Sequence, residues 1–197
     1  MAKISHYGVT MQKQQRIFIY AFLSRLFSDQ VDEAYVKDLK KNPELLETIG
    51  QETFEWIVNT PIEEAVAQLN IDYTSMFVMN AQPIESFVLD AKQDTLVGLQ
   101  NPVMQFYFEN GYEVDMNQTS IMAPDHISIE LGFMQAMIFK DDLRPQLEFL
   151  QRHLVRWSVP FFMGMKAMAS TPLFRDICDF YVEFLVADME LITNELA

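Results

Sequence analysis

Hydrophobic positions recur at helical spacing along most of the chain. Between Gln12 and Ser28, apolar side chains return every three or four residues, which is the spacing of one helix face. The same spacing predicts short helices over residues 32–41, 45–49 and 53–58. A longer helix is predicted from Thr60 to about Met79, because Thr60 and Pro61 have the chemistry of a helix start.

In the second half of the chain, prolines near capping residues mark further helix starts. These signals predict helices over four stretches: 101–110, 124–140, 145–157 and 170–194. Pro160 predicts a break near residues 157–160, because proline has no backbone N–H and disfavours helical geometry in the preceding residue. Residues 80–94 contain Pro83 and few periodic apolar positions, so an irregular segment is expected there.

The composition restricts the fold class further. Six glycines in 197 residues leave few tight turns, which argues against a many-stranded sandwich or barrel. A chain of this length with 50% hydrophobic residues can bury a sizeable core. We therefore predict an all-α fold with one compact multi-helix domain over residues 1–197, or two lobes with a hinge near residues 80–95.

Charge is distributed unevenly along the chain, whose net charge is −14. Residues 42–141 contain two lysines and sixteen acidic residues, so most of the negative charge lies there. A field of this sign repels phosphate backbones and attracts cationic partners. We therefore expect no nucleic-acid partner; the alternative for the acidity itself is that it only keeps an apolar chain in solution.

Cysteine usage and the distribution of apolar residues indicate the compartment. Cys178 is the only cysteine, so neither an internal disulfide nor a cysteine zinc cluster can form. Residues 1–10 show no basic start followed by an apolar stretch, so no secretory signal is expected. No uncharged segment reaches the ~20 apolar residues of a membrane span. We expect a cytoplasmic protein.

Familiar enzyme motifs are missing from the sequence. The glycines lie too far apart for a phosphate-binding loop, and neither GxSxG nor HExxH occurs. None of the three histidines has a glutamate three positions before it, so the motif of a di-iron helical bundle is absent. The sequence therefore predicts a binding protein rather than an enzyme, with no cofactor or metal.

Two segments, residues 72–90 and 111–134, place ionisable side chains beside apolar ones. In the second segment Pro124 is expected to begin a helix, with Asp125 and His126 in the first turn near the positive helix end. Glu130 lies four positions after His126, so the two can pair and favour imidazolium. The alternatives are a helix-start aspartate with nothing bound, or a metal site, for which two ligands on one helix are too few.

These segments resemble the TorD/DmsD/NarJ family of redox-enzyme maturation chaperones. The resemblance is carried by three motifs: Tyr73-Thr74-Ser75-Met76-Phe77, Pro83 with Ser86-Phe87-Val88-Leu89-Asp90, and Pro124-Asp125-His126 followed by Glu130-Leu131 and Phe133-Met134. The tail resembles the closing helices of the family through His153-Leu154, Trp157 and Phe180-Tyr181. The resemblance extends from about residue 12 to residue 190. Met76 departs from the usual leucine, and Phe87 stands where tyrosine or tryptophan is common.

The resemblance implies a function in the assembly of molybdenum enzymes. Such chaperones bind the twin-arginine signal peptide of an immature catalytic subunit, or the mature body of that apo subunit, until the cofactor is inserted. These two are the partners that we expect for this chain. The resemblance leaves the oligomeric state open between a monomer and a domain-swapped dimer.

A receptor for a twin-arginine peptide needs carboxylates for the guanidinium groups and an adaptable apolar groove. The candidate carboxylates are Asp125, Asp90 and Glu130. The candidate groove residues are Tyr73, Met76, Phe77, Phe87 and Pro124, with Pro83 and Ser86 from the same motifs. His126 is expected to orient Asp125 or to donate to a peptide carbonyl.

Two other functions stay open at this point. The chain could be a helical adaptor that binds a partner through a methionine-rich face, since methionine adapts to varied apolar surfaces. It could also be a nucleotide-binding helical enzyme, although it lacks a phosphate loop and its charge opposes an anionic ligand.

Overall fold

The computed structural model describes residues 13–90, 98–114 and 123–197. The α-helices in these residues are α1 (Lys13–Ser28), α2 (Glu33–Lys40), α3 (Pro43–Ile49), α4 (Gln51–Asn59), α5 (Ile62–Tyr73), α6 (Glu85–Leu89), α7 (Pro102–Glu109), α8 (Ile127–Lys140), α9 (Leu143–Phe149), α10 (Val155–Met165) and α11 (Pro172–Leu196). Wider π-helical turns extend α5 over Thr74–Asn80 and link α9 to α10 over Leu150–Leu154.

Strands are absent from the described residues, where an isolated antiparallel bridge joins Ile84 to His126. The predicted all-α fold is confirmed. Within the described ranges, no helix combines the length and the hydropathy needed to cross a membrane.

The described residues divide into two compact units. The first unit contains residues 29–82 and 162–184. The second unit contains residues 13–28, 83–161 and 185–197, apart from the undescribed stretches 91–97 and 115–122. The chain passes from the first unit to the second between Gln82 and Pro83, inside the segment 80–95 where a hinge is predicted. Residues 91–97 of that segment lie outside the described residues.

The core of the second unit contains α1 and α8, which pack along each other. The apolar face of α8 is buried, as its helical spacing indicates, through Ile127, Leu131, Met134 and Ile138. The Ser24 hydroxyl donates to the carbonyl of Ser128 at 2.7 Å. This contact holds the first turn of α8 against α1.

A buried ion pair connects α1 to the end of α11 in the second unit. The guanidinium of Arg16 donates to the carboxylate of Asp188, and the Tyr20 hydroxyl donates to the same carboxylate at 2.7 Å. Arg16 also donates to the Gln146 side chain at 2.7 Å, which adds α9 to the network. Because Asp188 has three donors, its buried charge is compensated.

In the first unit, the Asp72 carboxylate holds the two residues that precede α11. It accepts hydrogen bonds from the backbone N–H groups of Ser170 and Thr171, the latter at 2.6 Å. Nearby on the chain, Phe77 makes edge contacts with Phe162 and Phe174 at centroid distances of 6.1 and 5.8 Å. Phe77 therefore belongs to the core of the first unit.

The predicted break near Pro160 is wrong, because α10 continues through this proline to Met165. Trp157 and Phe161, on either side of Pro160, are both buried. The burial of these two large side chains offsets the hydrogen bond that proline removes from the helix.

Two boundaries around the candidate site also differ from the prediction. Residues 85–89 form α6 within the stretch predicted to be irregular, and α8 begins at Ile127 rather than at Pro124. The later start of α8 follows from the bridge between Ile84 and His126, which keeps His126 extended, with φ −74° and ψ 140°, so that helical geometry starts at Ile127.

Candidate functional site

A pocket of about 580 Å³ lies in the second unit. Its walls come from α6, the start of α7, the turn before α8 and the segment from 151 to 156. The ionisable residues of the lining are Glu85, Asp90, Asp125, Arg152, His153 and Arg156. The predicted residues Asp125, Asp90 and Ser86 therefore lie around one cavity.

The backbone on both sides of Asp125 is held by hydrogen bonds to the first residue of α6 and to the segment before it. The carbonyl of Asp125 accepts from the N–H of Glu85, and the N–H of Ile127 donates to the carbonyl of Pro83, both at 2.9 Å. Oδ2 of Asp125 accepts from the N–H of Ser86 at 2.8 Å, so this carboxylate caps the first turn of α6.

The second oxygen of Asp125 faces different surroundings. The residue is 1% exposed, and Oδ1 has no hydrogen-bond partner among the described residues. Because Asp125 lines the pocket, a donor bound there would lie near an acceptor that is already desolvated.

Glu85 and His153 form a buried pair beside Asp125. Nδ1 of His153 lies 3.1 and 3.2 Å from the two carboxylate oxygens of Glu85. The ring packs against Phe106 and Phe149 at centroid distances of 5.6 and 5.2 Å. Nε2 of His153 has no hydrogen-bond partner among the described residues. The orientation of the His153 ring is set by its contacts with Glu85 and with the two aromatic rings.

Glu130 is fully buried and is not part of the pocket lining. Its Oε2 accepts from the indole N–H of Trp157 at 3.2 Å. Burial, and next the charge of Glu85, raise the pKa of Glu130 well above its ordinary value. Burial and then the charge of Glu130 likewise raise the pKa of Tyr107, whose hydroxyl donates to the carbonyl of Pro124 at 3.2 Å.

The predicted pairing of His126 with Glu130 is wrong. His126 is the N-cap of α8, where Nδ1 accepts from the N–H of Ser128 at 3.2 Å and lies 2.8 Å from its hydroxyl. Burial lowers the pKa of His126 to about 4, against the opposite effect of the Asp125 charge. Neutral imidazole is therefore the favoured form, and His126 is not among the residues that line the pocket.

The cationic part of the pocket belongs to Arg152 and Arg156, both of which are exposed. Arg152 forms an ion pair with Glu148 at 2.6 Å. Arg156 forms no ion pair with any other described residue. The pocket thus combines buried acceptors with exposed positive charge.

The other predicted residues occupy different environments. Pro83, just before α6, and Pro124, just before α8, are both buried. Phe87 is half-buried on α6 and does not line the pocket. Tyr73, Met76 and Phe77 are buried in the first unit. Whether any of these residues binds a peptide stays a prediction.

Sequence reasoning did not single out Glu85, Arg152, His153 or Arg156 as site residues. Glu85 stands between Pro83 and Ser86, two predicted site residues, and this position could have marked it as a candidate. His153 lies 68 positions away from Glu85, so no local pattern could pair them. Among the described residues, no group of three or more potential ligands could hold a metal ion.

The described residues form a helical fold with a pocket lined by Glu85, Asp125 and His153, among others. Residues 32–163 match the family model described as the nitrate reductase delta subunit, and the chain belongs to this family. The predicted resemblance to the TorD and NarJ chaperones is thereby confirmed.

Curated relatives extend the likeness over nearly the whole chain. The chaperone protein TorD of Shewanella piezotolerans is 24% identical over 206 residues, which cover 92% of this chain and 94% of the relative. The TorD chaperone of Shewanella pealeana is also 24% identical, with 93% and 92% covered. That of Shewanella sp. strain ANA-3 is 25% identical over 74% of this chain and 77% of its own length. No solved structure matches the chain.

Proposed function

We propose that this protein is a cytoplasmic maturation chaperone for a molybdenum oxidoreductase. It binds the twin-arginine signal peptide of the catalytic subunit, the apo subunit itself, or both, assists cofactor insertion and delays export. Membership of the nitrate reductase delta subunit family and the likeness to TorD chaperones support a chaperone. The proposal needs a binding site and no catalytic residue.

One observation carries the site assignment. Asp125 is buried in the pocket wall with one carboxylate oxygen used by Ser86 and the other without a partner among the described residues. A buried acceptor of this kind gains most from a charged donor, because its desolvation cost is already met in the folded protein. The basic segment of a signal peptide supplies such a donor.

The surroundings of the pocket suit the rest of such a peptide. Val88 and Leu89, on the α6 helix, are 38% and 43% exposed, and Leu89 lines the pocket. An apolar segment that follows the basic residues can bury these side chains, at roughly 25 cal/mol per Å². The net charge of −14 further attracts a cationic segment and speeds its encounter.

A pull-down from the source organism tests the proposed function. We expect the tagged wild-type protein to recover a molybdenum-enzyme catalytic subunit, identified by mass spectrometry. We expect Asp125→Asn to recover much less, because asparagine keeps an acceptor for Ser86 but loses the charge and the open oxygen.

Asp142→Asn is the matched control, because Asp142 also caps a helix of the second unit, through the N–H of Arg144, and does not line this pocket. Recovery of an unrelated stable partner instead of a catalytic subunit would argue for an adaptor. Equal recovery by wild type and Asp125→Asn would contradict the site assignment.

A further inference from the structure

Two carboxyl groups meet inside the second unit. Glu130 of α8 and Glu85 of α6 are close enough to share a hydrogen bond, and they are 0% and 7% exposed. The indole N–H of Trp157 donates to Oε2 of Glu130 at 3.2 Å, and Nδ1 of His153 lies 3.1 Å from Oε1 of Glu85. A buried chain of polar groups therefore connects α10, α8 and α6 with the segment after α9.

Oε1 of Glu130 indicates the protonation state of the two glutamates. The atom is buried and has no hydrogen-bond partner among the described residues while both groups are ionised. Two ionised carboxylates offer each other only acceptors, whereas a protonated carboxyl group supplies one O–H donor. A proton on one of the two groups therefore replaces a repulsion between buried charges by a hydrogen bond.

The surroundings favour that proton on Glu130. Burial raises the pKa of Glu130 well above its ordinary value, and the charges of Glu85 on α6 and of Asp125 in the turn before α8 act in the same direction. The hydrogen bond from Trp157 on α10 acts in the opposite direction. Tyr107, from α7, stays uncharged because burial raises the pKa of its hydroxyl. The neighbouring elements thus favour a neutral Glu130.

The helix α6 is the element that the two glutamates can move. It has five residues, of which Glu85 and Ser86 are buried while Val88 and Leu89 are exposed. A short helix with little buried apolar surface depends on a few polar contacts for its position. Because Glu85, Ser86 and Leu89 all line the pocket, the pocket wall follows the position of α6.

We propose that Glu130 donates one shared proton to Glu85, and that release of this proton to water as pH rises loosens α6 and the pocket wall that it carries. After the release, two buried carboxylates repel each other. α8 is packed along α1 in the core, so α6 is the helix that yields. This pH-sensitive device goes beyond the proposed function and does not depend on which client binds.

A fluorescence titration of the full-length Trp56→Phe protein tests the shared proton. Trp157 is then the only tryptophan, and its indole N–H, which is bonded to Glu130, reports the ionisation of that group. We expect one transition between about pH 5 and about pH 9. Glu130→Gln should abolish the transition. Its absence from the Trp56→Phe protein would overturn the inference.

Glu85→Gln, in the same Trp56→Phe background, separates a shared proton from burial alone. We expect the midpoint to move to lower pH by about one pH unit or more, because a neutral amide does not repel the charge of Glu130. Glu109→Gln is the control, since Glu109 is an exposed acid at the end of α7 and should leave the midpoint unchanged. A midpoint that Glu85→Gln does not move would overturn the shared proton.

Hydrogen exchange of backbone amides tests the loosening of α6. The N–H groups of Val88 and Asp90 donate to carbonyls one turn earlier, so their exchange reports the opening of this helix. After correction for the intrinsic effect of pH, we expect both to exchange about ten-fold faster above the transition than below it, with amides of α8 unchanged. Glu130→Gln should remove the acceleration, because glutamine offers an acceptor to Trp157 and a donor to Glu85 at every pH. Equal protection of α6 on both sides of the wild-type transition would refute the device.

Discussion

At Asp125, a residue of the pocket lining, one carboxylate oxygen holds the chain and the other is buried without a partner among the described residues. Oδ2 caps α6 through Ser86, while Oδ1 has no partner among the described residues. The sequence identified Asp125 as a site candidate but assigned it a position inside the helix. It also paired His126 with Glu130, which fails because the four-residue spacing requires two helical residues and His126 is the extended cap.

Glu130 makes stability depend on pH. Its pKa in the folded protein is raised well above that in the unfolded chain, so its favourable contribution is complete below about pH 4.5 and is lost as pH rises through the raised pKa. We expect Glu130→Gln to remove this loss, because glutamine does not ionise and still offers an acceptor to Trp157. The wild-type free energy of unfolding should fall relative to the variant by about 1.4 kcal/mol per pH unit within that window.

Urea unfolding of both proteins from about pH 5 to pH 8 checks this difference. His126 acts in the opposite sense, since its folded pKa of about 4 is below its ordinary value of 6.5. Its contribution is complete above 6.5 and is lost as pH falls through about 4, so data above 6.5 report on Glu130 without it. If the difference in unfolding free energy between wild type and Glu130→Gln does not change with pH, the pKa of Glu130 is not raised by burial.

At the scale of helices, local sequence signals located most starts correctly. Asn101 caps α7 and Asp142 caps α9 through side-chain hydrogen bonds to backbone N–H groups, which are contacts within three residues. The start of α6 could not be predicted, because its cap is Asp125, 39 positions later in the chain. Pro160 misled the prediction because the burial of neighbouring side chains was not visible in a local pattern.

The position of α1 depends on its buried ion pair with α11. We expect Arg16→Ala to lower the free energy of unfolding by about 3–5 kcal/mol, because Asp188 would be left as an unpaired charge at 0% exposure. Arg25→Ala, at an exposed position of the same helix, is the control. Equal stability of the two variants in urea unfolding would show that the pair does not hold α1.

For the whole molecule, composition and motif resemblance were the informative signals. They predicted the all-α fold and the family, because helical periodicity and the Pro124-Asp125-His126 motif are local features. The pocket could not be predicted from local patterns, because its lining combines α6, the turn before α8 and the segment after α9, which are distant in sequence. Glu85 and His153, which are distant in sequence, are neighbours only in the folded second unit.

Calorimetric titration of wild type, Asp125→Asn and Asp142→Asn with one unmodified twin-arginine peptide tests the central claim most directly. We expect Asp125→Asn to bind about ten-fold or more weakly than wild type, because the peptide loses its charged contact in the pocket. Asp142→Asn should bind like wild type, since it caps α9 away from the pocket lining. Equal affinity of all three proteins would contradict the account.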